Sequence, residues 1–214
     1  MVAAAMWFHI DGLPPFRCLR NGVFYSLFLS EPVKNISTDI FFDPATNYFY
    51  GMNDIVIRNI RASDNPYLAK IVKDTLAEFG ANHPNTVYYD PTTDTLFELF
   101  QKKGAAYFVA EMNDEIVGGG GIYPTDGLPA GTCELVKMYL VPAARGTGLG
   151  RTLIEKCIGK ATEYGYKQIY LESMPELKQA LKVYAKFGFE YLKGPMGNSG
   201  HTGCSLWMLK RLDV

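Results

Sequence analysis

Beyond residue 52 the chain alternates between two hydrophobic rhythms, one of period two and one near 3.6, and the switches between them mark its elements. Residues 55–60 read as a strand. Leu68, Ile71, Val72, Leu76 and Phe79 then recur at helical spacing as one apolar face, with Ser63 or Asn65-Pro66 placed to cap its start and Gly80 to end it. Residues 81–92 carry no period and read as loop, with Tyr88 and Tyr89 exposed or half-buried. A short helix over about 93–103 carries Leu96, Phe97 and Phe100 and closes at Gly104. Residues 107–112 and 115–123 alternate as a hairpin turned at Asn113-Asp114. Its second strand contains four glycines, 118–121, which predict a bulge or the close approach of another backbone or a ligand. After a loop over 124–131 come a strand over 132–141 and a helix with Leu149, Leu153, Ile154, Cys157, Ile158 and Ala161 on one face. A strand over 168–172 follows, and then a helix with Leu177, Leu181, Tyr184 and Phe187, closed by Gly188. Two last strands, 189–193 and 203–210, flank a turn-rich stretch. The order is β-α-α-β-β-β-α-β-α-β-β, an α+β (mixed α/β) pattern.

Residues 1–51 have a different texture. They hold 11 aromatics, few charges, and prolines at 14, 15, 32 and 44 that break any period. Met52 then opens a segment with the features of a domain start, so the division expected is an aromatic-rich extension over 1–51 and a domain over 52–214. The preferred reading of the extension is a misassigned start or an artificially added leader. The competing one is an arm that packs its aromatics on the domain or on a second subunit.

The junction of strand and helix at 136–151, VKMYLVPAARGTGLGR, concentrates the chemistry. Pro142 stops the strand, Arg145 follows, and Gly146, Gly148 and Gly150 sit at every second position before the helix begins. Glycines let the backbone bend without Cβ clashes, and first-turn amides have no partner within their own helix. Several N–H groups and the positive end of the helix dipole therefore converge, as a phosphate cradle requires. A Walker A loop would end in Gly-Lys-Ser/Thr, but Arg151 and Thr152 follow Gly150 here. A G-x-G-x-x-G fingerprint fails because its last position is Arg151.

Arg145-x-x-Gly148-x-Gly150 after a Val-Pro strand end resembles the acetyl-CoA loop of the GCN5-related N-acetyltransferase (GNAT) family, Gln/Arg-x-x-Gly-x-Gly/Ala. One strand further on, Ala180-Leu-Lys-Val-Tyr184-Ala-Lys-Phe187-Gly188-Phe189 is similar to that family's A-x-x-x-Y-x-x-x-G-F signature. The element order over about 55–210 also resembles the GNAT fold, a mixed, mostly antiparallel sheet with helices on both faces.

Composition narrows the alternatives. The 214-residue chain is 48% hydrophobic and 20% charged, as in globular proteins, and its net charge of −1 gives no electrostatic case for nucleic acid or an anionic membrane. Cys18, Cys133, Cys157 and Cys204 are far apart, which suits reduced thiols in a cytoplasmic protein. His9, His83 and His201 are equally scattered, so no metal site is expected. The apolar run over 23–29 is too short to cross a bilayer, and no basic residue precedes Arg17 to open a signal peptide.

The resemblance implies an enzyme that moves an acetyl group from acetyl-CoA to a primary amine. It implies that main-chain groups of Met138, Tyr139, Leu140 and Val141 clamp the pantetheine arm where their strand splays from the next. The pyrophosphate would fall to Arg145, Gly146, Thr147, Gly148, Leu149, Gly150 and Arg151. An amine of pKa near 10 needs a proton acceptor, and Glu134, acting directly or through water, stands at the matching strand position. Tyr184 matches the family's tyrosine that faces the leaving sulfur; at helical spacing it also suits the core. No histidine is placed to activate Cys133 or Cys204, so direct attack in a ternary complex is preferred to an acyl-enzyme. Two alternatives stand beside this: a non-catalytic CoA-binding or regulatory module, and a dinucleotide oxidoreductase with Glu172 as ribose acid, against which the antiparallel hairpins argue. The acceptor, a small-molecule or protein amine, would be shaped by 79–92 and 194–204. Those windows hold Phe79, His83, Tyr88, Tyr89, His201 and Cys204 and no acidic cluster, which disfavours a polycation. Family members are often homodimers.

Overall fold

The computed structural model describes residues 54–212. It also describes four short strand segments upstream, Trp7–Phe8 paired with Phe16–Arg17 and Ile40–Asp43 paired with Tyr48–Gly51. Both readings of the 1–51 extension lie otherwise outside the described residues.

The domain is built on a seven-stranded sheet: β1 (Ile55–Asn59), β2 (Ala106–Met112), β3 (Glu115–Tyr123), β4 (Thr132–Leu140), β5 (Gln168–Ser173), β6 (Glu190–Tyr191) and β7 (Leu206–Arg211). Their spatial order is β6-β7-β5-β4-β3-β2-β1, and every neighbouring pair is antiparallel except β4 with β5. The helices are α1 (Asn65–Glu78), α2 (Leu96–Leu99), α3 (Leu149–Glu163) and α4 (Lys178–Lys186). The element order is the expected one, and the sheet is mixed, mostly antiparallel.

Alternation along the strands sorts the side chains onto two faces. Phe108, Ala110, Cys133, Leu135, Ile169 and Leu171 point to the side covered by α3 and α4. Tyr107, Val109 and Val136 point to the side covered by α1 and α2, where Leu68, Leu96 and Phe100 meet them. Burying both faces accounts for the apolar runs in the central strands.

The β2–β3 hairpin turns at Asn113 and Asp114, both at positive φ (53° and 63°), as a two-residue turn matched to strand twist requires. The four-glycine stretch also behaves as its composition suggests. A Cβ on Gly118 would collide with the Tyr139 carbonyl, and one on Gly120 with the Met138 thioether. The β3–β4 register shifts between Gly119 and Gly121, and Lys137 on the partner strand takes φ 50°. Two residues of β4 thus oppose one of β3: a bulge.

Three boundaries differ from the expectation. At the start of α1 the cap position is Asp64, not Ser63 or Asn65. The Asp64 carboxylate accepts from the Arg61 amide (2.7 Å) and the Arg58 guanidinium, while Asn65 Oδ1 accepts from the Phe97 amide (2.8 Å). The second helix shrinks because Asp90 caps a 3-10 turn over Pro91–Thr95 by accepting from the Thr92 amide, which leaves only Leu96–Leu99 as α-helix. The last two strands are shorter because Phe189 turns into the core and the Gly203 amide donates to the Asn85 carbonyl (3.0 Å), drawing 203–205 away from the sheet.

Candidate active site

β4 and β5 run side by side for three register pairs, Thr132 with Gln168, Cys133 with Ile169 and Glu134 with Tyr170, and then part. The rest of β4 continues to Leu140 with its β5-facing edge unpaired. A cleft of about 840 Å³ opens there. Backbone donors and acceptors left free beside a cleft are a ready template for an extended polar chain. Met138, Tyr139 and Leu140 line this cleft, while Val141, whose amide donates to the Val117 carbonyl (2.9 Å), ends the strand beside it.

At one end of the cleft the chain turns through Pro142–Ala144 into the glycine loop. Gly146 (φ 78°) and Gly148 (φ 91°) take left-handed conformations, and Gly148 is the N-terminal flank of α3. A side chain at either glycine would be strained although space is open around both. Thr147 closes the turn by donating from its hydroxyl to the Ala144 carbonyl (2.8 Å). Gly146, Gly148, Gly150 and Arg151 line the cleft; Thr147 and Leu149 support them, the latter buried in the core. Arg145 lines it too, but its guanidinium is already engaged. Nε donates to the Leu140 carbonyl (2.8 Å), the two terminal nitrogens donate to Glu78 (2.6 and 2.8 Å), and the group lies over the Phe79 ring. The loop is thereby tied to the end of α1. This cradle of first-turn amides next to an unpaired strand edge fits a phosphate-bearing chain with an extended arm.

Glu134 stands where β4 and β5 part, on the α1 face of the sheet, 3% exposed. Its Oε2 accepts from the Thr125 hydroxyl. Burial, with the neighbouring Glu172 adding to it, raises the carboxyl from 4.5 to about 7; the Thr125 hydrogen bond, His201 and Lys137 pull the other way. A carboxyl poised near neutrality at the head of a cleft has the property of a general base. Tyr184 projects from α4 into the same cleft, its ring edge-on to Phe189 at 5.9 Å. Burial pushes its phenol well above the ordinary value, so it holds its proton. Cys133 and Cys204, both buried, are pushed up to about 12 by burial, so neither is a thiolate at neutral pH.

Of the windows expected to shape the acceptor side, Phe79, Tyr89, His201 and Cys204 reach the cleft. Tyr88 packs beside it in the core under α1, and His83 faces outward toward Glu176 (3.8 Å). Asp90, Thr125 and Lys137, which the sequence reading did not single out, line the cleft too, as does Glu172, weighed there only as a ribose acid, to which the Tyr170 hydroxyl bonds. The Lys137 ammonium, buried, donates to Asp90 (2.8 Å) and Thr93 (3.0 Å), and His201 Nε2 lies 3.1 Å from the same Asp90 oxygen. Against the opposing effect of burial, the His201 hydrogen bond and the Lys137 charge hold the Asp90 carboxyl well below its ordinary 3.8. Glu172 accepts from the Tyr170 hydroxyl (2.8 Å) and the Ser199 hydroxyl (2.7 Å). The acceptor side therefore does hold carboxylates: Asp90 from the first window, paired with Lys137, and Glu134 and Glu172 from β4 and β5. A signal was present in the sequence: Glu134 and Lys137 are the only charges in the apolar strand 132–141.

Fold and site together define a GNAT acetyltransferase. Residues 68–189 match the model of the acetyltransferase (GNAT) family, and the chain belongs to that family of acetyl-CoA-dependent acyltransferases. It is 40% identical over 159 residues to the N-acetyltransferase YjgM of Escherichia coli K12, itself uncharacterized, spanning 73% of this chain and 95% of that one. Among solved structures, a GNAT acetyltransferase from Staphylococcus aureus Mu50 superposes with a TM-score of 0.67 at 21% identity, over 74% of this chain and 99% of that one. YncA of Salmonella typhimurium, solved with its cofactor acetyl-CoA, does so with 0.59 at 21% identity, over 75% and 95%. At such identities these two speak for the fold. Among the described residues no helix is long and apolar enough to cross a membrane.

Proposed function

We propose that this chain transfers the acetyl group of acetyl-CoA to a primary amine by direct attack within a ternary complex. One observation carries the reading: the parting of β4 from β5 directly after Glu134, which sets an unpaired strand edge between the glycine loop and a buried carboxyl. Acetyl-CoA, when bound, supplies the acyl group as a thioester.

The amides of Gly146 to Arg151 hold the pyrophosphate at the start of α3, and the edge of β4 from Met138 to Val141 holds the pantetheine arm. Arg145 fixes the loop through Glu78 and leaves its positive charge at the mouth of the cradle. Glu134, ionised above about pH 7, takes a proton from the acceptor ammonium, directly or through one water. The amine nitrogen then attacks the thioester carbonyl carbon; the C–N bond forms, the C–S bond breaks, and the departing sulfur takes the Tyr184 hydroxyl proton. The second proton that the nitrogen sheds as the amide forms restores the Tyr184 hydroxyl by way of solvent, and solvent removes the one gained by Glu134, so that one proton is released overall. With the cysteines held as thiols, no acyl-enzyme is required.

The test is calorimetric titration of the full chain with acetyl-CoA, CoA and NAD, with Gly148→Glu alongside. A Glu at a left-handed position, its charge beside the phosphate cradle, should lower acetyl-CoA affinity at least 100-fold, while wild type binds it saturably. Tight NAD binding, or no CoA binding, would overturn the reading.

A further inference from the structure

The charges that line the cleft do not balance at its acceptor end. Among the described residues four cationic side chains line it, and each already has a carboxylate: Lys102 with Asp126 (3.2 Å), Lys137 with Asp90 (2.8 Å), Arg145 with Glu78 (2.6 Å) and Arg151 with Glu155 (2.8 Å). His201 is turned to Asp90 as well. Glu134 and Glu172 have no such match among the described residues. The first accepts from a threonine hydroxyl and the second from a tyrosine and a serine hydroxyl, all of them neutral donors. Both lie on the same face of the sheet, because Glu134 is register partner to Tyr170 and Glu172 is two residues further along β5. They are close enough that Glu172 contributes to raising the Glu134 carboxyl, and one oxygen of the buried Glu134 is left over from Thr125. A carboxylate or phosphate on the acceptor would find no unpaired cation among the described residues here, whereas a second positive charge would find Glu172.

The same end is roofed. The segment between β6 and β7 is pinned to three different elements: the Asn198 amide donates to the Asp126 carbonyl (2.8 Å), the Gly203 amide to the Asn85 carbonyl, and the Met196 amide to the Tyr170 hydroxyl (3.1 Å). Gly203 approaches so closely that a Cβ there would meet the carbonyls of Pro84 and Asn85. An extended polypeptide would have to displace this strap; a short flexible molecule need not.

Resting on the acetyl-transfer reading, we infer that the acceptor is a small dication. Its reacting amine sits at Glu134 and a second cationic nitrogen pairs with Glu172. Amines that carry a carboxylate, and protein termini or lysines, are discriminated against.

The experiment measures CoA release by the full chain with α,ω-diamines of two to six methylenes, n-butylamine, 4-aminobutyrate and a lysine-containing peptide. The best diamine should exceed n-butylamine at least 10-fold in kcat/KM, with 4-aminobutyrate and the peptide below the monoamine. Glu172→Gln retains an acceptor for one of the two hydroxyls and should collapse the diamine-to-monoamine ratio to near one, chiefly through the diamine KM. Its acetyl-CoA affinity, read by calorimetry, reports that the variant is folded. Equal rates with monoamine and diamine, a preference for 4-aminobutyrate or the peptide, a ratio that survives in a folded Glu172→Gln, or saturable acetyl-CoA binding with no transfer to any diamine would each overturn the dication alone. Failure of wild type to bind acetyl-CoA would overturn the acetyl-transfer reading as well.

Discussion

Replacing Glu134 by Gln should make the protein more stable and less active, and both effects should follow one titration. Burial raises the carboxyl from 4.5 to about 7, a difference of about 3 kcal/mol between its neutral and ionised forms. Because the folded value lies above the unfolded one, the folded state binds this proton more tightly. The stabilisation is complete below about pH 4.5 and is lost as pH rises through about 7. Above that, wild type carries a buried carboxylate whose ionisation costs about 3 kcal/mol, and Gln, of nearly the same shape and still able to accept from Thr125, does not. Urea unfolding should therefore show Glu134→Gln more stable by about 1–3 kcal/mol at pH 8, with the advantage shrinking to nothing near pH 4.5. Turnover runs the other way. In the proposed role of general base Glu134 works ionised, so wild-type kcat/KM should rise with pH through an apparent value of about 7, and the variant should lose that limb and about 10²–10⁴ in rate. CoA release monitored against pH reads the rate, and denaturant melts at matched pH read the stability. An acid limb below pH 5.5 in wild type, a limb near 7 that persists in the variant, or a variant less stable than wild type at pH 8 would refute the reasoning.

Tyr184→Phe should lower kcat at least 10-fold while acetyl-CoA affinity stays within a few-fold, since the ring keeps its packing on Phe189 and only the hydroxyl is lost; steady-state rates with parallel calorimetry check it, and wild-type turnover would remove the proton-donor role. Asp90→Asn leaves the Lys137 ammonium buried without its counter-ion and should cost about 3–5 kcal/mol in urea unfolding at pH 7. The Asp90 carboxyl is depressed, so its contribution is present above its ordinary range and fades only as pH falls through the lower folded value; the deficit should persist at about pH 4.

What could be read from the sequence was whatever depends on neighbours along the chain. Apolar spacing located α1, α3 and α4 to within a residue or two, and Asn113-Asp114 announced its turn, because helix faces and two-residue turns are settled by residues a few positions apart. The cap of α1 was misplaced because Asp64 is held by Arg58 on β1, a partner that no local motif advertises. The last strands were drawn too long because Asn85, more than a hundred positions upstream, holds Gly203 away from the sheet.

The candidate site divides along the same line, and Lys137 shows why. Strict alternation from Glu134 would put Lys137 on the opposite face, toward α3. The bulge against Gly120 advances the phase by one residue, so Glu134, Val136, Lys137 and Tyr139 share the α1 side while Met138 and Leu140 take the other. The four glycines had signalled a bulge; they did not indicate that its effect would be to bring a lysine to the side of a catalytic candidate and so demand Asp90 and His201 as its companions. Glu172 drew notice only under a reading that the missing third fingerprint glycine and the antiparallel hairpins already opposed. At a strand end some twenty residues after a glycine loop it suited the ribose acid of a dinucleotide site, a reading that assumes a parallel sheet continuing beyond it. The sheet instead parts after Glu134 and turns antiparallel at β7, which leaves Glu172 beside Glu134 with neutral donors only. The expectation that the acceptor windows are poor in acid was true of the windows and misleading about the pocket. Asp90 of the first window is matched by Lys137 and His201, whereas the carboxylates with only neutral donors, Glu134 and Glu172, come from two strands outside both windows, and the charge proposed for the acceptor rests on their register.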